Sequence, residues 1–191
     1  SYKVYAFDLS VRSAYLTNER AFFNGTSMFL LPLGFENEKC ELNIKPAESS
    51  QTLGNWSIAT GLKKISTLNF EANDYQDLID HPVEMSDFTL FDFEVNDVKH
   101  QMALTGMQNA DIARLKQDLK TICQHHVAFF NNDMPFDNYL FLTLVKTQGY
   151  GGLEHKKSCS LICSREELPK INMGDINNQY TRFLALCSHE Y

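Results

Sequence analysis

The sequence predicts an α+β chain in which an all-β half, a sandwich or a saddle over residues 1–107, precedes a mixed half over residues 108–191. Three observations lead to this division. Apolar residues alternate near the N-terminus, as they do in half-buried strands. From Asn109 onward they recur at the spacing of an amphipathic helix instead. The last residues, 175–191, show helical spacing again.

The first half is predicted to consist mostly of short strands. Alternation predicts the first strand over residues 4–16. Turn-forming residues at 24–26 and 45–50 interrupt the pattern, and a short helix is predicted over residues 74–80, ended by His81-Pro82. Further strands are predicted at residues 22–31, 40–44, 56–60, 87–95 and 98–104.

The second half begins with the clearest helical pattern in the chain. Apolar side chains return at helical spacing from Ile112 to Phe129, with Asn109 or Asp111 as the N-cap. The polar loop at residues 131–135 ends this helix. Buried strands are then predicted at residues 139–145 and 153–163, followed by the final helix over residues 175–191.

Charge and hydropathy exclude two kinds of partner. The chain carries a formal net charge of -7 and has no run of Lys or Arg of the length that a nucleic-acid surface requires. Its longest apolar stretches are far shorter than the roughly 18 residues of a membrane span. We therefore expect neither nucleic acid nor a membrane as a partner.

The cysteines are the sequence feature that bears on the compartment. There are 5, an odd number without the spacing of a small disulfide scaffold, which is typical of reduced core thiols in a cytoplasmic protein. The N-terminus shows no basic region followed by an apolar segment. A signal peptide that had been removed would place the protein in the periplasm instead.

The final helix carries His189 and Glu190. A His-Glu pair followed by two residues and a second His is a zinc motif, in which imidazoles at i and i+4 bind the ion and the Glu polarises water. The second imidazole would stand at position 193, which is outside this chain. Alone, the pair is more typical of a solvated helix surface.

A second signal is the glycine-rich start of the last predicted strand, around Gly151, Gly152, Leu153, Glu154 and His155. Glycines at a strand start let another backbone approach closely. A peptide that lies alongside as an added strand is one reason for such a composition. A tight turn or bulge, with Glu154 and His155 merely exposed, is the other.

These two stretches resemble the glycyl aminopeptidase family of zinc metallopeptidases. Residues 150–155 and 183–191 carry the resemblance in the second half. The first half is similar to the N-terminal domain of that family at residues 4–9, 21–26, 56–62 and 74–85. The resemblance therefore extends over nearly the whole chain.

The resemblance implies that a thermolysin-like catalytic domain begins in the second half. In that domain His189 would be the first zinc ligand and Glu190 the general base. Residues 151–155 would form the substrate-binding strand, with the Gly151-Gly152 backbone paired to the peptide and Glu154 holding its free α-amino group. The implied activity is removal of N-terminal glycyl or alanyl residues from peptides.

We expect the chain itself to be inactive and to bind no stoichiometric zinc at His189. A catalytic zinc site needs about three protein ligands, and neither the second His nor the acidic third ligand of the family is present in this chain. We interpret the chain as cut within its catalytic domain, and we expect fraying near Tyr191. The alternative function is a non-catalytic β-sandwich module that binds peptide or carbohydrate.

Three other groups of polar residues have simpler interpretations. His126 lies on the apolar stripe of its helix and is interpreted as a packed or hydrogen-bonded side chain. Cys159 and Cys163 are interpreted as core thiols. The remaining group is acidic and is interpreted as solvated surface rather than a calcium loop: Asp77, Asp80 and Glu84.

Overall fold

The computed structural model describes residues 1–46 and 54–191, so most of the predicted turn at 45–50 lies outside the described residues. The chain divides into two compact units, Ser1–Asp87 and Phe88–Tyr191. The sequence pattern places its boundary about twenty residues later, near residue 107, because it follows the change from strands to helices. The strands after Asp87 belong to the sheet of the second unit.

The first unit is β-rich, with two antiparallel sheets and two short helices among its described residues. In chain order its elements are β1 (Ala14–Leu16), β2 (Arg20–Phe23), α1 (Gly25–Met28), β3 (Cys40–Asn43), β4 (Ser57–Thr60), β5 (Lys63–Lys64), β6 (Asn69–Ala72), α2 (Tyr75–Ile79) and β7 (Val83–Ser86). One sheet has the order β1-β2-β7-β4, and the other has the order β3-β6-β5.

Two strand predictions in this unit are wrong in extent. Residues 4–16 do not form one strand, because the chain bends where the Asp8 carboxylate accepts a hydrogen bond from the Ser10 backbone N–H at 2.9 Å. The strand predicted over residues 22–31 stops at Phe23. There the Asn24 side chain accepts the Thr26 N–H at 3.1 Å and caps helix α1.

A buried ion pair joins two neighbouring strands of the first unit. The Arg20 guanidinium lies 2.6 Å from a Glu84 carboxylate oxygen, and the Ser86 hydroxyl donates to the other oxygen at 2.8 Å. Both charged side chains are buried, so removal of either one would leave the other as an uncompensated buried charge. Glu84 is therefore part of the interior, and its interpretation as solvated surface is wrong.

The second unit places two long helices and a five-stranded sheet in one α+β arrangement. Its elements are β8 (Thr89–Val95), β9 (Val98–Thr105), α3 (Ile112–Phe129), β10 (Asn138–Lys146), β11 (Gly151–Glu154), β12 (Ser158–Ser164), a 3-10 turn (Arg165–Glu167) and α4 (Asn178–Glu190). The sheet order is β11-β12-β10-β9-β8, with β10 parallel to both neighbours. The mixed α+β class is confirmed.

The strand predicted over residues 153–163 is in fact two antiparallel strands. The chain reverses between β11 and β12, and the His155 N–H donates to the Ser158 carbonyl at 2.9 Å to close the turn. As a result, β11 is the outermost strand of the sheet, paired on one side with β12. This reversal puts the glycine-rich segment at a sheet edge.

Alternate side chains of the strands pack with both helices into one core. Four cysteines are buried in this core and all are free thiols, as the sequence predicted: Cys123, Cys159, Cys163 and Cys187. Burial raises the pKa of the Cys123 and Cys163 thiols to about 12, so they stay protonated at neutral pH. Among the described residues, none of the helices combines the length and the apolar character needed to cross a bilayer.

Candidate functional site

Helix α4 presents His189 and Glu190 in different directions. The helix begins where the Asn177 side chain accepts the Tyr180 N–H at 2.9 Å, and its Phe183 side faces the core. Successive residues on a helix point about 100° apart. His189 is therefore exposed to solvent, whereas Glu190 turns toward the sheet and is only 7% exposed.

Side chains from three elements hold the C-terminal end of α4. The Tyr139 hydroxyl of β10 donates to the Glu190 carbonyl at 2.9 Å. The hydroxyls of Ser188 and Tyr191 lie 2.8 Å from ring nitrogens of His126 and His100, respectively. The Glu190 carbonyl, the last of the helix, therefore has a hydrogen-bond partner, and the expected fraying near Tyr191 stays a prediction.

His100 has a hydrogen-bond partner at each ring nitrogen. Its Nδ1 lies 3.0 Å from the Val98 carbonyl, which can only accept, so Nδ1 carries a proton, and its Nε2 lies 2.8 Å from the Tyr191 hydroxyl. Burial lowers the pKa of His100, although the bond to Val98 opposes the effect. The ring also stacks on Phe93, with 5.2 Å between centroids.

Tyr191 is enclosed by aromatic rings. Its ring centroid lies 4.8 Å from that of Tyr139 and 5.4 Å from that of His126, and Phe136 and Phe141 lie slightly further away. Edge-to-face contacts of this kind add stabilisation beyond their buried area. Tyr191, which follows Glu190, therefore anchors the end of α4 in the core.

The glycine-rich strand and the His-Glu pair meet at one contact. A Cβ placed on Gly152 would lie 2.0 Å from the Glu190 Oε1 and 2.3 Å from its Cδ. Only glycine leaves room there for the carboxylate. The two stretches that the sequence singled out separately are therefore neighbours in space.

The remaining strand residues divide between the two faces of the sheet. Glu154 is two positions from Gly152 and hence on the face that carries α4, whereas Leu153 points to the opposite face. Glu154 is exposed, and Leu153 and His155 are half-buried. A Cβ on Gly151 would meet no atom within 4 Å, so that glycine borders open space.

The donors of this chain do not complete a zinc site. Within the described ranges, 1–46 and 54–191, no three His, Cys, Asp or Glu side chains are grouped to hold a metal ion. His189 brings one imidazole and Glu190 a neighbouring carboxylate, whereas zinc requires about three protein ligands. Zinc therefore does not fit the residues of this chain taken alone, and the expected absence of zinc binding stays a prediction.

Sequence reasoning found some of these residues and missed others. The interpretation of His126 as a hydrogen-bonded side chain is confirmed by its bond to Ser188. His100 and Tyr139 were missed, because each lies on a predicted strand whose pattern gives no sign of a hydrogen-bond partner far away in the sequence. Glu167 could have been found, since Ser164 and Glu167 have the spacing of a capping box.

Comparison with known proteins finds similarity to peptidases. Residues 1–87 match the family described as Peptidase M61 N-terminal domain. Over 98% of its length the chain is similar to the crystal structure of an aminopeptidase N family protein from Idiomarina loihiensis, with 39% identity and a TM-score of 0.92. The chain spans 32% of the length of that protein. No curated protein sequence matches. Both similarities support a relationship between this chain and peptidases.

Proposed function

We propose that this chain forms part of a zinc aminopeptidase of the glycyl aminopeptidase type, which removes N-terminal glycyl or alanyl residues from peptides. Its first unit would be the N-terminal domain, and its second unit the beginning of a thermolysin-like catalytic domain. The contact between Gly152 and Glu190 carries the proposal. It puts a buried carboxylate of a His-Glu pair directly against a strand at a sheet edge.

The free edge of β11 suits an extended peptide. The strand pairs on one side with β12, and glycine occupies its first two positions. A peptide can add to such an edge through main-chain hydrogen bonds. Glu154 would then hold the free α-ammonium group of the peptide by a charge-assisted hydrogen bond, which selects a chain end over an internal residue.

His189 and Glu190 would supply the other half of the site. We assign His189 as one zinc ligand, with the remaining ligands contributed by residues outside this chain. Zinc, when bound, supplies the Lewis acidity that such peptidases use. Glu190 would act as general base, since its carboxylate lies beside the strand on which the peptide would be bound.

The test uses the full-length protein that contains this chain. Its zinc content and its hydrolysis of glycyl and alanyl p-nitroanilides are measured with and without a chelator. We expect chelator-sensitive activity, and Glu190→Gln should lower kcat by about 10²- to 10⁴-fold, the usual contribution of a general base. Zinc content should stay near that of the parent.

Glu154→Gln tests the ammonium site separately. Loss of one charge-assisted hydrogen bond should lower kcat/KM for substrates with free amino termini by about 10- to 100-fold while zinc stays bound. Glu94→Gln is the matched control, because Glu94 is an exposed carboxylate on β8, the opposite edge of the same sheet. Equal loss of zinc and activity in Glu154→Gln would mean that Glu154 is structural.

The alternative function, a non-catalytic module that binds peptide or carbohydrate, predicts a different result of this test. A full-length protein that binds peptide or carbohydrate but shows no chelator-sensitive cleavage would contradict the aminopeptidase proposal. We also propose a cytoplasmic location, supported by five cysteines that are all free thiols. Labelling of the protein in separated cell fractions would test it.

A further inference from the structure

Strand β11 has few side chains with which to hold its position. Gly151 and Gly152 contribute none, and the strand is the edge of its sheet, with one pairing partner. Gly149, just before it, has a φ of 152°, which is a backbone conformation that favours glycine. An edge strand of this composition needs an anchor from elsewhere if it is to offer a defined binding surface.

Tyr150 supplies that anchor through Arg182. The Arg182 Cζ lies 3.9 Å from the centre of the Tyr150 ring, a close cation–π contact. Tyr150 has the same parity as Gly152, so its side chain lies on the face of the sheet that carries α4. Arg182 belongs to α4, two turns before His189.

Arg182 is itself held by a buried carboxylate. Its Nη1 lies 2.8 Å from the Glu167 Oε1, and the Glu167 side chain is only 3% exposed. The other Glu167 oxygen accepts the Ser164 N–H at 2.7 Å, at the end of β12. Because β12 pairs with β11, the side chains of Tyr150, Arg182 and Glu167 and the two strands close a ring of contacts around the start of β11.

We propose that Arg182 is a positioning residue that holds the start of β11, and with it the surface on which a peptide would be bound. The peptide-binding part of this proposal rests on the proposed function. The clamp itself, defined as Tyr150, Arg182 and Glu167, depends only on the contacts described. Arg182 acts through Tyr150 and touches no reacting atom.

Hydrogen exchange measured on this chain tests the clamp and does not depend on enzymatic activity. Arg182→Met should raise the exchange rates of the backbone amides at residues 151–154 by about 3- to 10-fold, as expected for loss of one cation–π contact and one half-exposed ion pair. Tyr150→Leu should do the same, and Tyr150→Phe should not, because it keeps the ring. Arg12→Met, at an exposed arginine of the first unit, is the control for removal of a positive charge.

Kinetics of the full-length protein test the positioning role. In an active enzyme, Arg182→Met should raise KM for peptide substrates by about 3- to 10-fold with little change in kcat or zinc content. Unchanged exchange at residues 151–154 would overturn the clamp, whatever the enzyme does. Faster exchange with an unchanged KM would overturn the positioning role. An inactive full-length protein would contradict the proposed function alone, and the exchange rates would still decide about the clamp.

Discussion

The C-terminal end of α4 and the strand β11 carry the two halves of the candidate site, and they are held in different ways. Around Glu190, hydrogen bonds join Tyr139 to the helix backbone, and His126 and His100 to the side chains of Ser188 and Tyr191. Along β11, one neighbouring strand and the stack of Arg182 on Tyr150 hold a segment that begins with two glycines.

This difference agrees with the separate roles proposed above for the two regions. A group that accepts a proton or binds a metal has to be placed to within a fraction of an ångström, and the helix end has the buried partners to do that. A surface that pairs with a peptide backbone has to stay open. A side chain at Gly152 would displace Glu190, whereas one at Gly151 would meet no atom within 4 Å. In the proposed function, the two glycines keep the edge of β11 open to a peptide, although glycine lowers the stability of a strand.

Gly152→Ala should have the largest effect on stability, because it disrupts the contact between β11 and the end of α4. The new methyl group would overlap the carboxylate of Glu190, which is buried, and overpacking of this kind costs about 1 to 3 kcal/mol. Urea unfolding followed by circular dichroism measures the loss. A variant as stable as the parent would show that Glu190 moves aside freely and that the helix end is less tightly held than the contacts indicate.

Tyr139→Phe should have the next largest effect on stability, and it changes a contact at the end of α4 alone. It keeps the ring but removes the hydroxyl that donates to the Glu190 carbonyl, so the free energy of unfolding should fall by about 1 kcal/mol. Tyr150→Phe is the control, since it removes a hydroxyl from the β11 side of the site. Equal stability of both variants would contradict the importance of the Tyr139 bond.

The residues that the sequence could reveal differ from those it could not. The glycine-rich strand and the His-Glu pair were found because each has a pattern of composition or spacing. The reversal at residues 155–157 was missed, since both strands have the same apolar parity and no glycine or proline marks the turn. The partners of the C-terminal end of α4 were missed for another reason. Tyr139 and His100 are distant in sequence, and only the sheet register brings them to the helix end.

Acidification should weaken the helix end through His100. Burial lowers the pKa of His100 in the folded chain, so below about pH 6.5, the ordinary pKa of histidine, the unfolded chain binds the proton more readily. Stability present above that pH is therefore lost as the pH falls toward the folded pKa. The slope for one proton cannot exceed about 1.4 kcal/mol per pH unit.

Urea unfolding between pH 7.5 and 5.5 tests this expectation. His100→Gln should be less stable than the parent at neutral pH and should lose less stability on acidification, because the titrating group is gone. The other histidines are common to both proteins, so the difference between the two slopes isolates His100. Parallel slopes would mean that burial does not lower the pKa of His100 in the folded chain.

Gly151→Ala should have the smallest effect on stability. It tests whether glycine at this position is needed for peptide binding rather than for folding. Its Cβ would meet no atom within 4 Å, and Gly151 is not among the residues with positive φ. We expect the free energy of unfolding to stay within about 0.5 kcal/mol of the parent, since surface substitutions seldom change it more. In the full-length protein the same methyl group should raise KM for peptides, because it adds bulk beside the strand edge to which a peptide would pair. A loss of stability at unchanged KM would assign Gly151 to the fold and leave Gly152 as the glycine that the site requires.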